Sequence, residues 1–213
     1  MKYPKIRELI HAIKVLIKGP ATTKYPFEPH IPPESFRGKP QPSSEGCIGC
    51  GACAEVCPAE AIHIKEKIFE IEGRKIGARI LVWHYDECIF CGQCARYCTT
   101  REEKIPGVVM SKEFDLATTD RKELKSEEIK KELVLCSCCG SVISTKEHLL
   151  YISKKLRYKT YGNINLIQTL SEKFASFSYS VKFKQFNQRE YLYEILCPKC
   201  RRKILLFDEY GKI

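Results

Sequence analysis

Apolar residues along the chain fall into groups with different periods, and each period predicts a different element. Between residues 5 and 18 the run KIRELIHAIKVLIK places Ile6, Leu9, Ile10, Ile13, Leu16 and Ile17 on one stripe, the i, i+3, i+4, i+7 spacing of a single helical face. Lys5, Arg7, Lys14 and Lys18 lie off the stripe, and Gly19-Pro20 ends it. Burying each such apolar side chain contributes about 1.5 to 3 kcal/mol, against roughly 1 kcal/mol for a Lys or Arg near an anionic lipid surface. The stripe therefore dominates and the charges assist. A helix this short is marginal alone in water. It is expected either to pack on its own domain or to lie at a membrane surface or on a membrane subunit.

Residues 20–42, PATTKYPFEPHIPPESFRGKPQP, hold seven of the eleven prolines. Such a run cannot form a helix or a central strand and predicts an extended arm with polyproline character. Tyr25, Phe27, Ile31 and Phe36 interleave with the prolines, which suits an arm docked across a partner; the plainer alternative is a tether. Further on, AIHI (61–64), IFEIE (68–72) and ARILVW (78–83) predict short strands with a turn at Gly73, and 54–57 and 95–98 predict short helices. Residues 111–132 are dominated by charge and predict a connector with a solvated helix near its end. Ser144 and Glu147 suggest a capping box opening a helix to about Leu156. Residues 163–174 suggest another helix, and YLYEIL (191–196) and KILLF (203–207) read as strands.

Cysteines change the picture most. Eight of thirteen lie in two copies of one spacing, C-IG-C-GA-C-AEV-C-P at Cys47, Cys50, Cys53 and Cys57 and C-IF-C-GQ-C-ARY-C-T at Cys88, Cys91, Cys94 and Cys98. Each cysteine recurs 41 positions later. Thiolates are soft ligands suited to iron and sulfur, and three of them two residues apart wrap three corners of a cubane while a fourth comes from elsewhere. In two-cluster ferredoxins the fourth cysteine of each run serves the other cluster. This assigns one [4Fe-4S] cluster to Cys47, Cys50, Cys53 and Cys98, and a second to Cys88, Cys91, Cys94 and Cys57. Disulfides would need an oxidising compartment, whereas the chain shows no secretory signal and its cysteine total is odd. Zinc needs neither the third CxxC step nor the CxxxCP ending. The ligand sets being complete, His63 and His84 read as structural or surface residues.

Five cysteines remain downstream. Cys136 and Cys139 in CSCCG, with Cys197 and Cys200 in CPKC, make four thiolates for one tetrahedral metal, zinc or mononuclear iron. A register using Cys138 in place of Cys136 or Cys139 stays open. The fold class is thus α+β: an N-terminal amphipathic helix and arm (1–45), a two-[4Fe-4S] ferredoxin-like domain (46–117), a charged connector (118–132) and a small zinc-ribbon-like domain (133–213). No apolar run approaches the ~20 residues of a membrane span, and the thiol-rich chain suits a reducing cytoplasm. The formal charge of +10 admits nucleic acid, anionic lipid or an acidic protein as partner.

Taken together, the N-terminal helix, the arm around ATTKYPFEP and FRGKP, CIGCGAC, CIFCGQC, EFDLA (113–117) and the paired CSCCG and CPKC resemble the electron-transfer subunit of formate hydrogenlyase. More broadly, they resemble the two-cluster subunit of complex I and of energy-converting membrane-bound [NiFe] hydrogenases. The CSCCG and CPKC pair separates the formate hydrogenlyase type from complex I subunits. One departure stands out: Thr99 occupies the place of the family's usual proline. The resemblance implies a subunit at the cytoplasmic face of the membrane that relays electrons to the cluster of a hydrogenase-like small subunit, its N-terminal helix on a membrane subunit. It carries no nucleophile, acid/base pair or nucleotide loop of its own. A quinone- or polysulfide-reducing relative would use the same wire. Two further readings are a free ferredoxin carrier and a nucleic-acid-binding zinc-ribbon protein using Lys154-Lys155 and Arg201-Arg202-Lys203.

Overall fold

A computed structural model describes residues 5–19, 22–71, 74–124, 126–174 and 194–207. The chain divides into two compact units, Met1–Phe36 and Arg37–Ile213. The first holds helix α1, Ile6–Lys18, whose stripe is exposed along its whole length. The Lys5 amide donates to the Glu8 carboxylate at 3.3 Å to start the helix. It ends at Gly19, which has φ +77°.

In the second unit a four-stranded antiparallel sheet has the order β2 (Ile62–Ile71), β3 (Arg74–Trp83), β5 (Glu127–Leu135) and β6 (Val142–Thr145). The strands expected at 61–64 and 68–72 are one. Lys65, Glu66 and Lys67 pair with Ile80, Arg79 and Ala78 and carry the ladder through the charged middle, as an edge strand with one solvated side permits. The turn expected at Gly73 lies outside the described residues.

The solvated helix expected near residue 132 is instead strand β5, which pairs with β3 from Gly77↔Leu133 to Trp83↔Glu127. Ile129 and Leu133, both buried, are four residues apart. That separation satisfies a helical turn and one face of a strand equally. Pairing decides it: a Cβ on Gly77 would sit 2.9 Å from Leu133 Cβ, so glycine lets the strands close.

A second sheet joins β1 (Pro40–Pro42) to β4 (Val108–Met110), so the end of the proline-rich run is a short edge strand. The two short helices lie two residues earlier than expected, as α2 (Ala52–Glu55) and α3 (Gln93–Arg96). Beyond β6 come α4 (Lys146–Leu156), a 3-10 turn, α5 (Ile164–Phe174) and α6 (Pro198–Phe207). The first residue of α4 follows Thr145, not Ser144, whose hydroxyl instead meets His148 Nδ1 at 2.9 Å.

KILLF is the second correction of type: it is the end of helix α6. A short apolar run does not distinguish strand from helix. Pro198 at the first helical position and the buried i, i+4 pair Cys200 and Ile204 favour the helix. Of YLYEIL, residues 191–193 lie outside the described residues and Glu194 to Leu196 are in no strand. The CPKC step therefore opens a helix rather than lying between two strands.

Candidate metal centres

Each cysteine run enters a short helix through a loop that needs left-handed backbone. Gly51 and Gly92, equivalent across the repeat, precede α2 and α3 at φ +87° and +74°. Two residues earlier Gly49 and Phe90 are also equivalent and also left-handed, at +69° and +54°. The Gly49 amide donates to Cys47 Sγ and the Phe90 amide to Cys88 Sγ, both at 3.4 Å. Amide–sulfur contacts of this kind stabilise metal-bound thiolates and tune their clusters.

Cys47, Cys50, Cys53 and Cys98 line one cavity. Cys88, Cys91, Cys94 and Cys57 line another. Burial pushes the Cys53 thiol up to about 12, with Cys47 and Cys50 adding to it, and pushes the Cys94 thiol up to about 11. Burial raises Cys47 and Cys88 as well. At neutral pH these groups become thiolates only when a metal takes the proton's place. Trp83 Nε1 and His84 Nε2 belong to residues lining the second cavity, and among the described residues both atoms are buried without a partner. A buried donor needs an acceptor, and cluster sulfur would be one. The donor sets fit two iron-sulfur clusters.

Downstream, the ligand atoms of Cys136, Cys139, Cys197 and Cys200 lie within 4.8 Å of one another, with Cys139 Sγ 3.7 Å from Cys197 Sγ. Four sulfurs at ~2.3 Å from a tetrahedral zinc would stand about 3.8 Å apart. Cys138 packs beside this group but is not in it. Gly140, at φ +72°, turns the CSCCG knuckle, and its amide donates to the Cys136 carbonyl at 2.9 Å. Hydrogen bonding from Ser141 lowers the Cys139 thiol to about 6.

Residues with no motif of their own hold the first cysteine loop. Arg79 Nη1 donates to the Gly49 carbonyl at 2.8 Å, its other nitrogens engaging Glu66. Thr145 donates to the Ile48 carbonyl, and Lys131 Nζ to that of Ser44 at 2.8 Å. Only the assembled sheet reveals them, since they lie between 30 and 97 residues from the carbonyls they reach. His84, read from the sequence as a structural or surface residue, lines the second cavity.

Paired cavities of four cysteines, drawn from two repeats, define a two-cluster ferredoxin-type electron carrier. Residues 46–101 match the 4Fe-4S dicluster domain family. Formate hydrogenlyase subunit 6 of Escherichia coli is 30% identical over 147 residues, covering 68% of this chain and 74% of that protein. NAD(P)H-quinone oxidoreductase subunit I of Gloeobacter violaceus is 34% identical, covering 53% of this chain and 51% of that protein. The chloroplastic subunit I of Citrus sinensis is 40% identical, covering 52% and 62%. This chain thus spans about half the length of the first of those two relatives and about three fifths of the second. A chain from the structure of the membrane-bound sulfane sulfur reductase, an archaeal respiratory membrane complex, is 29% identical over 58% of this chain and 61% of that one, with a TM-score of 0.39. The chain belongs to the family of [4Fe-4S] subunits that includes formate hydrogenlyase subunit 6 and NAD(P)H-quinone oxidoreductase subunit I.

Proposed function

We propose that this protein relays electrons through two [4Fe-4S] clusters inside a membrane-bound, hydrogenase-type complex related to complex I. Cys47, Cys50, Cys53 and Cys98 hold one cluster, and Cys88, Cys91, Cys94 and Cys57 hold the other. The observation that carries this is the division of the eight cysteines into two cavities, each with three residues of one run and the last of the other. Bound clusters supply one-electron redox chemistry. The chain supplies ligands, amide donors to sulfur and burial. Cys136, Cys139, Cys197 and Cys200 hold a zinc or a mononuclear iron that ties the β5–β6 turn to α6.

Attachment to the complex falls to α1 and the arm. Among the described residues no helix is long and apolar enough to cross a membrane. At 13 residues α1 spans about 20 Å, short of the ~30 Å hydrocarbon core. Its exposed stripe suits a membrane surface or membrane subunit at the cytoplasmic face, next to a hydrogenase-like small subunit. A nucleic-acid role finds less support, because Lys154 and Lys155 both pair with Glu103, at 3.2 and 2.8 Å.

Sizing chromatography of detergent-solubilised native membranes, with nickel and iron assayed across the fractions, tests the reading. Co-elution with nickel in a large complex is expected. A large nickel-free complex would move the assignment to a quinone- or sulfur-reducing relative, and recovery as a small soluble protein would overturn membership of a complex.

A further inference from the structure

Thr99 follows Cys98 where the first copy of the repeat has Pro58 after Cys57. Cys98 lies in the cavity of the first run, and Thr99 behind it lines that cavity too, whereas Pro58 does not line the second. Thr99 Oγ1 stands 3.2 Å from Cys50 Sγ, and either atom could donate between a free thiol and a hydroxyl. Iron on Cys50 removes that choice: the sulfur keeps no proton and the hydroxyl is left as donor. Pro58 has no side-chain donor to offer Cys91.

Thr99 is held where it can do this. Tyr151 on α4 donates its hydroxyl to the Thr99 carbonyl at 3.0 Å. The next residue is fixed from two sides, as Thr100 Oγ1 donates to the Gly46 carbonyl at 2.9 Å and accepts from the Gly107 amide at 2.9 Å. Thr100 also lies 3.4 Å from Cys98 Sγ. Its single proton is already committed to Gly46, so among the described residues lining the first cavity Thr99 is the one with a hydroxyl proton to give to a ligand sulfur.

We infer that the Thr99 hydroxyl donates a hydrogen bond to the Cys50 thiolate and raises the potential of the first cluster. The electron added on reduction increases negative charge on cluster and ligands, so a donor to a ligand sulfur favours the reduced form. Thr99 is a positioning residue that acts through Cys50, and it acts on one cluster of the pair. The inference rests on the ligation proposed above.

The test is an EPR-monitored redox titration of the anaerobically purified full chain, with the first cluster identified as the signal altered or lost in Cys50→Ser. In Thr99→Val, which keeps the branched shape and removes the hydroxyl, the reduced-to-oxidised ratio of the first cluster at fixed potential should fall roughly tenfold, about 59 mV for one electron. The second cluster should not move, and Thr99→Ser should stay near wild type. An unchanged first potential in Thr99→Val, or an equal shift in Thr99→Ser, would overturn the role of the hydroxyl. A wild-type chain binding fewer than two clusters, or Cys50→Ser with both signals intact, would overturn the ligation and the inference with it.

Discussion

The two cysteine loops share a spacing but not a setting. Around the first, Arg79, Thr145 and Lys131 bind the carbonyls of Gly49, Ile48 and Ser44. Around the second, Arg37 Nη1 reaches the Cys91 carbonyl at 3.0 Å from an exposed position, and Ile89 is 62% exposed. The equivalent residues Gly49 and Phe90 record the difference. Both are left-handed, but a Cβ at residue 49 would come within 2.8 Å of Thr145 Cγ2 and 3.1 Å of Lys131. Glycine is required where the later strands roof the loop, and phenylalanine is tolerated where they do not. A repeat therefore sets the spacing of its cysteines, while the segments around it set their environment.

The largest test of the comparison breaks the repeat itself. Cys57→Ser should remove or convert the cluster held by Cys88, Cys91 and Cys94 and spare the other, and Cys98→Ser should do the reverse. Iron and sulfide analysis with EPR on each variant reads this directly. Loss confined to the cluster of the mutated run would refute the exchanged ligation.

Next in size are substitutions at the matched glycines. Gly51→Ala and Gly92→Ala both force a side chain into left-handed backbone, at about 1–2 kcal/mol. At Gly51 the new methyl would also meet Ile64 Cδ1 at 2.9 Å, whereas at Gly92 the nearest atom is 3.5 Å away. Ile64 Cδ1 is the end of a flexible side chain that is 37% exposed and can swing aside, so Gly51→Ala is expected to cost only about 0.5 kcal/mol more than Gly92→Ala, measured by chemical denaturation under anaerobic conditions. Equal losses would mean that the first loop is no more tightly roofed than the second.

Arg79→Ala and Arg37→Ala form a finer pair. Arg79 is largely buried, its side chain 15% exposed, and it donates to a backbone carbonyl while paired with Glu66. Removing a charged donor of this kind costs about 1.5–3 kcal/mol, and a chelator should then strip iron faster from the first cluster alone. Arg37 is exposed, so its removal should have a smaller effect, confined to the second cluster. Faster loss from both clusters in Arg79→Ala would show a general loosening of the sheet.

How much of this was legible follows the range of the signals involved. Ligand spacing is local, so the eight cysteines, the 41-residue offset and the CSCCG and CPKC pair stood out before any fold was known. The stripe of α1 was equally local. Strand β5 was not, because Ile129 and Leu133 satisfy two periods and only pairing with β3 chooses between them. KILLF failed for the same reason, its helix depending on the buried contacts of Cys200 and Ile204. Arg79 and Thr145 carry no motif, and their role exists only once distant strands meet. His84 sits four residues before Cys88, so a signal was present, but a completed ligand set hid it.

The smallest expected effect concerns the segment that carries Cys98 into the first cavity. Glu103 pairs with Lys155 and Lys154 on α4, and these ammonium groups, Lys155 first, hold its carboxyl below the ordinary value of 4.5. The residue 41 positions earlier is Ile62 in β2, so that position of the repeat offers no equivalent charge pair. A carboxyl depressed in the folded chain adds stability above its unfolded value, and that stability is lost as pH falls through the folded value. Because the pair is exposed, its contribution is small and screened by salt. Glu103→Gln removes it at every pH, so the difference in denaturation midpoint between wild type and variant should shrink toward zero as pH drops from about 7 to below the ordinary carboxylate range. A difference that persists in acid would mean that Glu103 holds the segment by packing rather than by charge, and the roof over the first loop would then extend, uncharged, to the residues behind Cys98.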